Sequence, residues 1–117
     1  MMQFSSSLKK NSDFKKVFQN RKSKVNKYLI MYVLENGTDY NRLGIAVSKK
    51  VGNSVVRHRV KRLIKESYRL HEPMFSRGLD IVVVARVGAN AINYDDTESA
   101  LLHLMKLHHA INVEQEN

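Results

Sequence analysis

The chain has 117 residues, enough for one domain with a buried core, and apolar residues make up 43% of it. Lys and Arg outnumber Asp and Glu by 20 to 11, which gives a formal net charge of +9. The sequence contains no cysteine, which excludes disulfides, thiolate metal sites and cysteine nucleophiles. It shows neither a secretory signal nor an apolar run long enough to cross a bilayer, so we predict a soluble cytoplasmic protein.

The charge is unevenly distributed along the chain. Residues 1–70 carry seventeen basic and four acidic side chains, whereas residues 71–117 carry three and seven. A protein with one strongly positive pole approaches a polyanion in a preferred orientation. The asymmetry therefore favours a nucleic-acid partner.

The first helix is predicted after a flexible lead-in of about residues 1–8 and ends near Asn20. Phe14, Val17 and Phe18 share one face of it, and apolar residues at this spacing usually belong to a core. Four lysines nearby leave stacking on nucleic-acid bases as an open alternative. These lysines are Lys9, Lys10, Lys15 and Lys16.

Two strands are predicted next, after a basic connector at residues 21–27. Residues 28–34 are apolar on both faces, which is typical of a central strand, and Asn36-Gly37 indicates a hairpin turn to a return strand at residues 42–47. On the return strand, Gly44, Ala46 and Ser48 face the same side. Such small side chains leave room either for a closely packed helix or for an elongated ligand.

Residues 48–70 form the most informative stretch, with eight basic residues and one acid, Glu66. Asn53 is the predicted N-cap of a helix that stops before Pro73. Its apolar stripe comprises Val56, Val60, Leu63, Ile64 and Leu70, with Ser67 between them. Its basic arc comprises Arg57, His58, Lys61, Arg62, Lys65 and Arg69.

Like charges on this arc lie at i,i+4 spacing, where they repel each other unless an anion neutralises them. The arc therefore predicts a polyanionic partner, and a merely solvated basic face is the alternative. A buried strand at residues 79–87 and a last helix from Tyr94 complete the chain. The order of elements predicts an α+β fold, a single-domain α/β sandwich over residues 1–117 with a small sheet of about four strands. Residues 112–117 are expected to form a flexible tail.

No catalytic constellation on the protein stands out. Asp95, Asp96 and Glu98 are better explained as acids at the positive end of a helix. His103, His108 and His109 lack a carboxylate at ligand-like spacing, so we predict no metal site among them. No glycine-rich phosphate loop is present.

The basic stretch resembles the signature of the protein subunit of bacterial ribonuclease P. That signature is Lys-Lys-x-Gly-Asn-Ala-Val followed by Arg-Asn-Arg and Lys-Arg, and the matching sequence here is SKKVGNSVVRHRVKRLIKESYR. The resemblance continues in KKNSDFKKVF, NRLGIAVSKK and LDIVVVAR and covers roughly residues 8–110. The central Asn is His58 here, and a neutral imidazole offers the same pair of one donor and one acceptor.

The resemblance implies an accessory subunit of an endoribonuclease whose active site belongs to a large catalytic RNA, with Mg²⁺ held mainly by that RNA. The protein would bind the RNA subunit and the 5′ leader of precursor tRNA, and we expect neither a membrane nor an obligate protein partner. Carried over by position, the contacts to the RNA subunit are Lys49, Lys50, Asn53, Arg57, His58, Arg59, Lys61, Arg62, Lys65 and Arg69. The leader cleft comprises Phe14, Lys15, Phe18, Ile30 and Tyr32.

The family fold is that of the second domain of ribosomal protein S5, and it implies a left-handed crossover through the basic helix, against the usual right-handed rule. Two other functions fit the charge pattern. A structural RNA-binding protein, such as a ribosomal or ribosome-assembly protein, fits it equally but does not explain the long motif. A DNA-binding regulator is disfavoured because a strand, not a helix, precedes the basic helix.

Overall fold

The structure is a computed structural model that describes residues 2–20 and 22–112. Eight helices and strands follow one another within these residues, together with short 3₁₀ helices at Glu72–Met74 and Val87–Ala91. In chain order they are β1 (Ser5–Ser7), α1 (Asn11–Gln19), β2 (Ser23–Val25), β3 (Leu29–Glu35), β4 (Asn41–Ala46), α2 (Ser54–His71), β5 (Leu79–Ala85) and α3 (Tyr94–Leu107).

The strands form one mixed sheet in the order β1-β4-β5-β3-β2. Strand β4 is parallel to both of its neighbours, whereas β3 is antiparallel to β5 and to β2. Helix α2 connects the parallel strands β4 and β5, so the predicted crossover through the basic helix is confirmed. The left hand of that crossover stays a prediction from the resemblance.

Two predicted details of the sheet are wrong. The sheet has five strands, because the three-residue strands β1 and β2 pair along its two edges. The strands on either side of the Asn36-Gly37 turn do not form a hairpin, because β5 lies between them and pairs with both. Strand β5 is apolar on both faces, and the central position removes both faces from water.

The N-terminal residues are held to the domain, contrary to the predicted flexible lead-in. Both carboxylate oxygens of Glu72 accept backbone N–H groups, from Gln3 at 2.7 Å and from Phe4 at 2.8 Å. Leu8 is buried beside the sheet. Of the predicted C-terminal tail, Asn112 donates its backbone N–H to the Met74 carbonyl at 2.9 Å, and residues 113–117 lie outside the described residues.

The two faces of the sheet carry cores of different size. Leu29, Met31, Ile81 and Val83 face α2 and α3 in a large cluster of buried side chains. On the opposite face, α1 covers a small cluster in which Val17 and Val82 are completely buried. Side chains alternate between the two faces along Leu79–Ala85, but the predicted strand at residues 79–87 ends there, and Val87 is 57% exposed in a 3₁₀ helix.

Within the described residues, no helix is both long enough and apolar enough to cross a membrane. Even the longest helix, α2, has charged residues along its exposed side.

Candidate nucleic-acid interface

The basic helix α2 starts at a side-chain cap. The Asn53 side-chain oxygen accepts the Val56 N–H at 3.0 Å, which confirms the predicted N-cap. A Cβ at position 52 would lie 2.8 Å from the Val56 side chain, so Gly52 allows this first turn to close tightly. Lys49 and Lys50 are exposed in the turn that precedes the cap.

The face of α2 that packs on the core is centred on Val60 and Ile64, as predicted, but its far end differs. Tyr68 is completely buried, whereas Leu70 is 53% exposed. Tyr68 follows Val60 by eight residues and therefore lies about 80° around the helix from it. Leu70 follows by ten residues and lies on the opposite flank of the stripe, which ends short of it. The prediction of Leu70 as a core residue is wrong.

The opposite face of α2 is exposed and positively charged. His58, Lys61, Arg62 and Lys65 are all exposed along it. Within residues 2–20 and 22–112, no acidic side chain forms an ion pair with Lys61, Arg62 or Lys65. The predicted row of like charges is therefore present on the surface, and no acid of the described residues pairs with it.

Three other arginines of α2 are already bound within the protein. The Arg57 Nε donates to the Gly52 carbonyl at 3.2 Å, and Arg59 donates to a backbone carbonyl in the loop before α3. Arg69 forms an ion pair of 2.6 Å with Glu66, and this hydrogen bond lowers the pKa of the Glu66 carboxyl. Of the predicted RNA-binding arginines, three are thus oriented by protein partners, whereas Arg62 forms no ion pair within the part of the chain that the structure describes.

An aromatic cleft lies on the other face of the sheet, between α1 and β3. The rings of Phe14 and Phe18 are 6.3 Å apart, and Phe18 stands edge-on to Tyr32 at 4.8 Å. Phe18 is 38% exposed, whereas Val17 is the α1 residue that is completely buried. The fully buried residue of this helix is therefore Val17, whereas Phe18 is exposed and Phe14 is half-buried against the small cluster.

The close packing of α1 depends on a glycine in the sheet. A Cβ at position 44 would lie 2.6 Å from the end of the Phe14 ring, so the ring lies directly over Gly44. Of the two alternatives left open by the small residues of β4, the helix occupies this position. Lys15 is exposed beside Phe14 and Phe18 along an open concavity of about 460 Å³. Ile30 is half-buried and lies on the same face of β3 as Tyr32.

An ion-pair network that the sequence analysis missed fixes α1 to the sheet. Arg42 donates two hydrogen bonds to Asp80, at 2.9 and 2.6 Å, and a third to Asp13 at the start of α1, at 3.2 Å. Burial raises the pKa of Asp80, but hydrogen bonds from Arg42 and Asn36 outweigh it and hold that pKa below its usual value. A carboxylate inside an otherwise apolar strand is the signal that could have revealed the network, because such a charge needs a partner.

The histidines and acids of the described residues do not form a metal site. No group of three or more His, Asp or Glu side chains there has the arrangement to hold a metal ion. The His108 Nε2 lies 2.9 Å from the Met31 carbonyl oxygen and must donate to it. Burial lowers the pKa of His108, so the ring is held in its neutral form. Asp95 and Asp96 occupy the first turn of α3, as predicted.

An α+β sandwich with an exposed basic crossover helix on one face and an aromatic cleft on the other defines an RNA-binding domain. The family model described as Ribonuclease P matches residues 2–108. The chain belongs to this family.

Relatives and solved structures agree with this assignment. The chain is 58% identical over 108 residues to the ribonuclease P protein component of Lachnoclostridium phytofermentans, covering 92% of this chain and 93% of that protein. It is 49% identical over 100 residues to that of Clostridioides difficile, covering 85% and 88%.

Among solved structures, the RNase P protein of Staphylococcus aureus superposes with a TM-score of 0.83 at 34% identity, over 91% of this chain and 97% of that one. The RNase P protein from Thermotoga maritima does so with a TM-score of 0.80 at 32% identity, over 86% and 96%. The predicted family and fold class are confirmed.

Proposed function

We propose that the whole chain acts as one RNA-binding domain, which binds the catalytic RNA of ribonuclease P and the 5′ leader of precursor tRNA. In this role it assists the endonucleolytic removal of the leader that produces the mature 5′ end of tRNA. The observation that carries the proposal is the presence, on one domain of this family, of an exposed row of basic side chains on α2 and a separate aromatic cleft.

The α2 surface suits a structured RNA. Lys61, Arg62 and Lys65 stand in an exposed row that pairs with no acid among residues 2–20 and 22–112, and phosphate groups of an RNA would neutralise them while releasing bound counterions. Arg57 and Arg59 flank the row in orientations fixed by backbone carbonyls. Phosphate contacts of this kind set the register of a protein on an RNA without reading its sequence. We therefore assign the α2 surface to the RNA subunit.

The α1 cleft suits a single strand. Every base has a flat π-face, so stacking on exposed Phe and Tyr rings tolerates any leader sequence. Phe14, Phe18 and Tyr32 supply such rings, and the Lys15 ammonium beside them can follow the backbone phosphates. A leader bound there would lie on the opposite face of the sheet from α2.

In the proposed complex the RNA subunit carries the catalytic centre and holds the Mg²⁺ ions. The described residues do not fit a protein-held metal, as no three ligating side chains converge, and we derive no step through one. This chain would bind, orient and bring together the two RNAs. As a subunit of a bacterial tRNA-processing enzyme, it would act in the cytoplasm.

Cleavage at low Mg²⁺ tests the proposal. A tRNA precursor with a 5′ leader is incubated with the matching RNA subunit, with and without this protein. We expect stimulation that depends on the leader and is largely lost with Tyr32→Ala, while Tyr40→Ala, an exposed tyrosine of the β3–β4 loop, retains it. If the protein bound structured RNA tightly but gave no stimulation, a structural RNA-binding role would replace the proposal.

A further inference from the structure

A groove runs between the β1–β4 edge of the sheet and helix α2, with a volume of about 380 Å³. Leu43 and Ile45 form its apolar floor on the α2 face, and Leu8 lines it at the sheet edge, with its side chain packed in the small cluster on the α1 face. Leu8 and Leu43 are almost completely buried, and the Leu8 N–H donates to the Leu43 carbonyl at 2.8 Å, so the floor is held by backbone pairing. The groove is thus a formed feature of the sheet edge.

The rim of the groove is polar and cationic. Ser7 lies on the strand side, and α2 contributes His58, Lys61, Arg62 and Lys65 on the other. Both lysines and the arginine belong to the row without ion pairs among the described residues. A ligand for this groove therefore needs a flat or apolar part for the floor and negative charge for the rim.

We propose that the groove binds one unpaired nucleotide of the RNA subunit, with its base on the Leu43–Ile45 floor and its phosphates against the α2 rim. The inference rests on the proposed function, since it presupposes that α2 faces that RNA. The charge of the rim selects a polyanion, and the volume falls within the range of small-molecule sites. A base displaced from its stack is the part of an RNA that enters such a site.

Phosphate contacts alone do not account for the groove. A paired RNA helix lying along α2 would touch the lysines but leave the half-buried Ile45 of the floor uncovered, because its bases stay stacked inside it. An inserted base covers this floor. It also brings its polar edge near the Ser7 hydroxyl, which can donate or accept a hydrogen bond. The groove would in this way add base recognition to the charge attraction of α2.

A pair of substitutions on β1 tests the proposal. Ser6 and Ser7 are adjacent and exposed, but only Ser7 lines the groove, since Ser6 pairs beside Arg42 and faces the α1 side. Ser7→Trp fills the mouth of the groove, and we expect it to weaken binding of the RNA subunit by about 5- to 150-fold, the range for losing one stacked base. The salt dependence of binding should not change, because the phosphate contacts remain.

The matched variant Ser6→Trp should bind the RNA subunit as the unmodified protein does. Equal affinities of Ser7→Trp and Ser6→Trp would overturn the groove proposal while leaving the proposed function intact. If instead the unmodified protein failed to bind the RNA subunit, the proposed function would fail, and the groove proposal with it.

A second measurement does not depend on a bulky side chain. The chain has no cysteine, so Ser7→Cys provides a single thiol for a photoactivated azidophenacyl group. Irradiation with the RNA subunit should crosslink one nucleotide that is unpaired in the RNA. Crosslinks spread over a paired helix, or none in a complex that has formed, would overturn the proposal.

Discussion

The two faces of the sheet support their binding surfaces in different ways. The α2 surface stands on the large core, where Ile64 and Tyr68 are completely buried, and its exposed side carries a row of basic residues. The α1 cleft stands on a small cluster that, among the described residues, has three buried members, and its aromatic rings are partly exposed. A charged surface needs a rigid base and a partner that supplies charge. A stacking surface needs apolar area left in water until its ligand arrives.

The largest effect is expected from the core below the basic helix. Ile64→Ala removes a completely buried side chain and should lower the free energy of unfolding by about 2–5 kcal/mol, measured by urea denaturation. Val55→Ala on the same helix is the control, because Val55 is 76% exposed and its loss should cost less than about 0.5 kcal/mol. Similar losses in the two variants would contradict the account of the core.

The next largest loss of stability is expected from the Arg42 ion-pair network, which fixes α1 to the sheet. Asp80→Asn removes the charge that Arg42 binds twice, and we expect a loss of about 2–3 kcal/mol together with weaker leader binding. Asp39→Asn, in an exposed loop, should change neither quantity. An unchanged leader affinity in Asp80→Asn would show that the network does not position the cleft.

The lowered pKa of the Asp80 carboxyl predicts that the free energy of unfolding depends on pH. The pKa of Asp80 is lower in the folded chain than in the unfolded one, so the unfolded chain binds its proton first as the pH falls. Its contribution to stability is therefore complete above the usual pKa of an aspartate and is lost as the pH falls through the lowered value. Acid unfolding of the unmodified protein should be steeper than that of Asp80→Asn.

A methyl group added beneath the cleft should disturb it although no aromatic residue is substituted. Gly44→Ala places a Cβ against the Phe14 ring and should displace the ring, at a cost of about 1–2 kcal/mol and with weaker leader binding. Gly88→Ala is the control, because its Cβ meets nothing closer than 3.7 Å. Full leader affinity in Gly44→Ala would mean that the position of Phe14 is unimportant.

The salt dependence of RNA binding should distinguish Arg62 of α2 from Arg69, which is paired with Glu66. Arg62→Ala should lower the slope of log K against log salt for the RNA subunit by about one unit. Arg69→Ala should lower it less, because Glu66 already neutralises Arg69 in the free protein. Equal changes would show that Arg69 exchanges Glu66 for a phosphate in the complex.

The smallest effect concerns His108, at the junction of α3 with the sheet. Burial lowers its pKa in the folded chain, so below the usual pKa of histidine the unfolded chain binds more protons. Stability should therefore rise with pH up to about 6.5 and gain nothing from this group above it. His108→Gln should flatten the rise in the free energy of unfolding with pH, measured by urea denaturation at a series of pH values.

Short-range features of this protein could be predicted from its sequence. The Asn53 cap, the basic arc of α2, the alternation of β5 and the acids at the start of α3 depend on residues within a few positions of one another. Such patterns are set by the geometry of a helical turn or a pleat, so a single stretch contains the information.

Only the tertiary structure decided which distant residues meet. Strand order placed β5 between the strands of the expected hairpin, and it gave the polar strand β1 an edge to pair with. Arg42 and Asp80 are 38 positions apart, and the Phe14 ring lies over Gly44 across the same sheet. These contacts depend on how all the apolar faces of the chain pack together in the interior. A pattern within a short stretch of sequence does not contain that information. The sequence by itself therefore determined the charged surface, and the packing of α1 on the sheet decided the cleft.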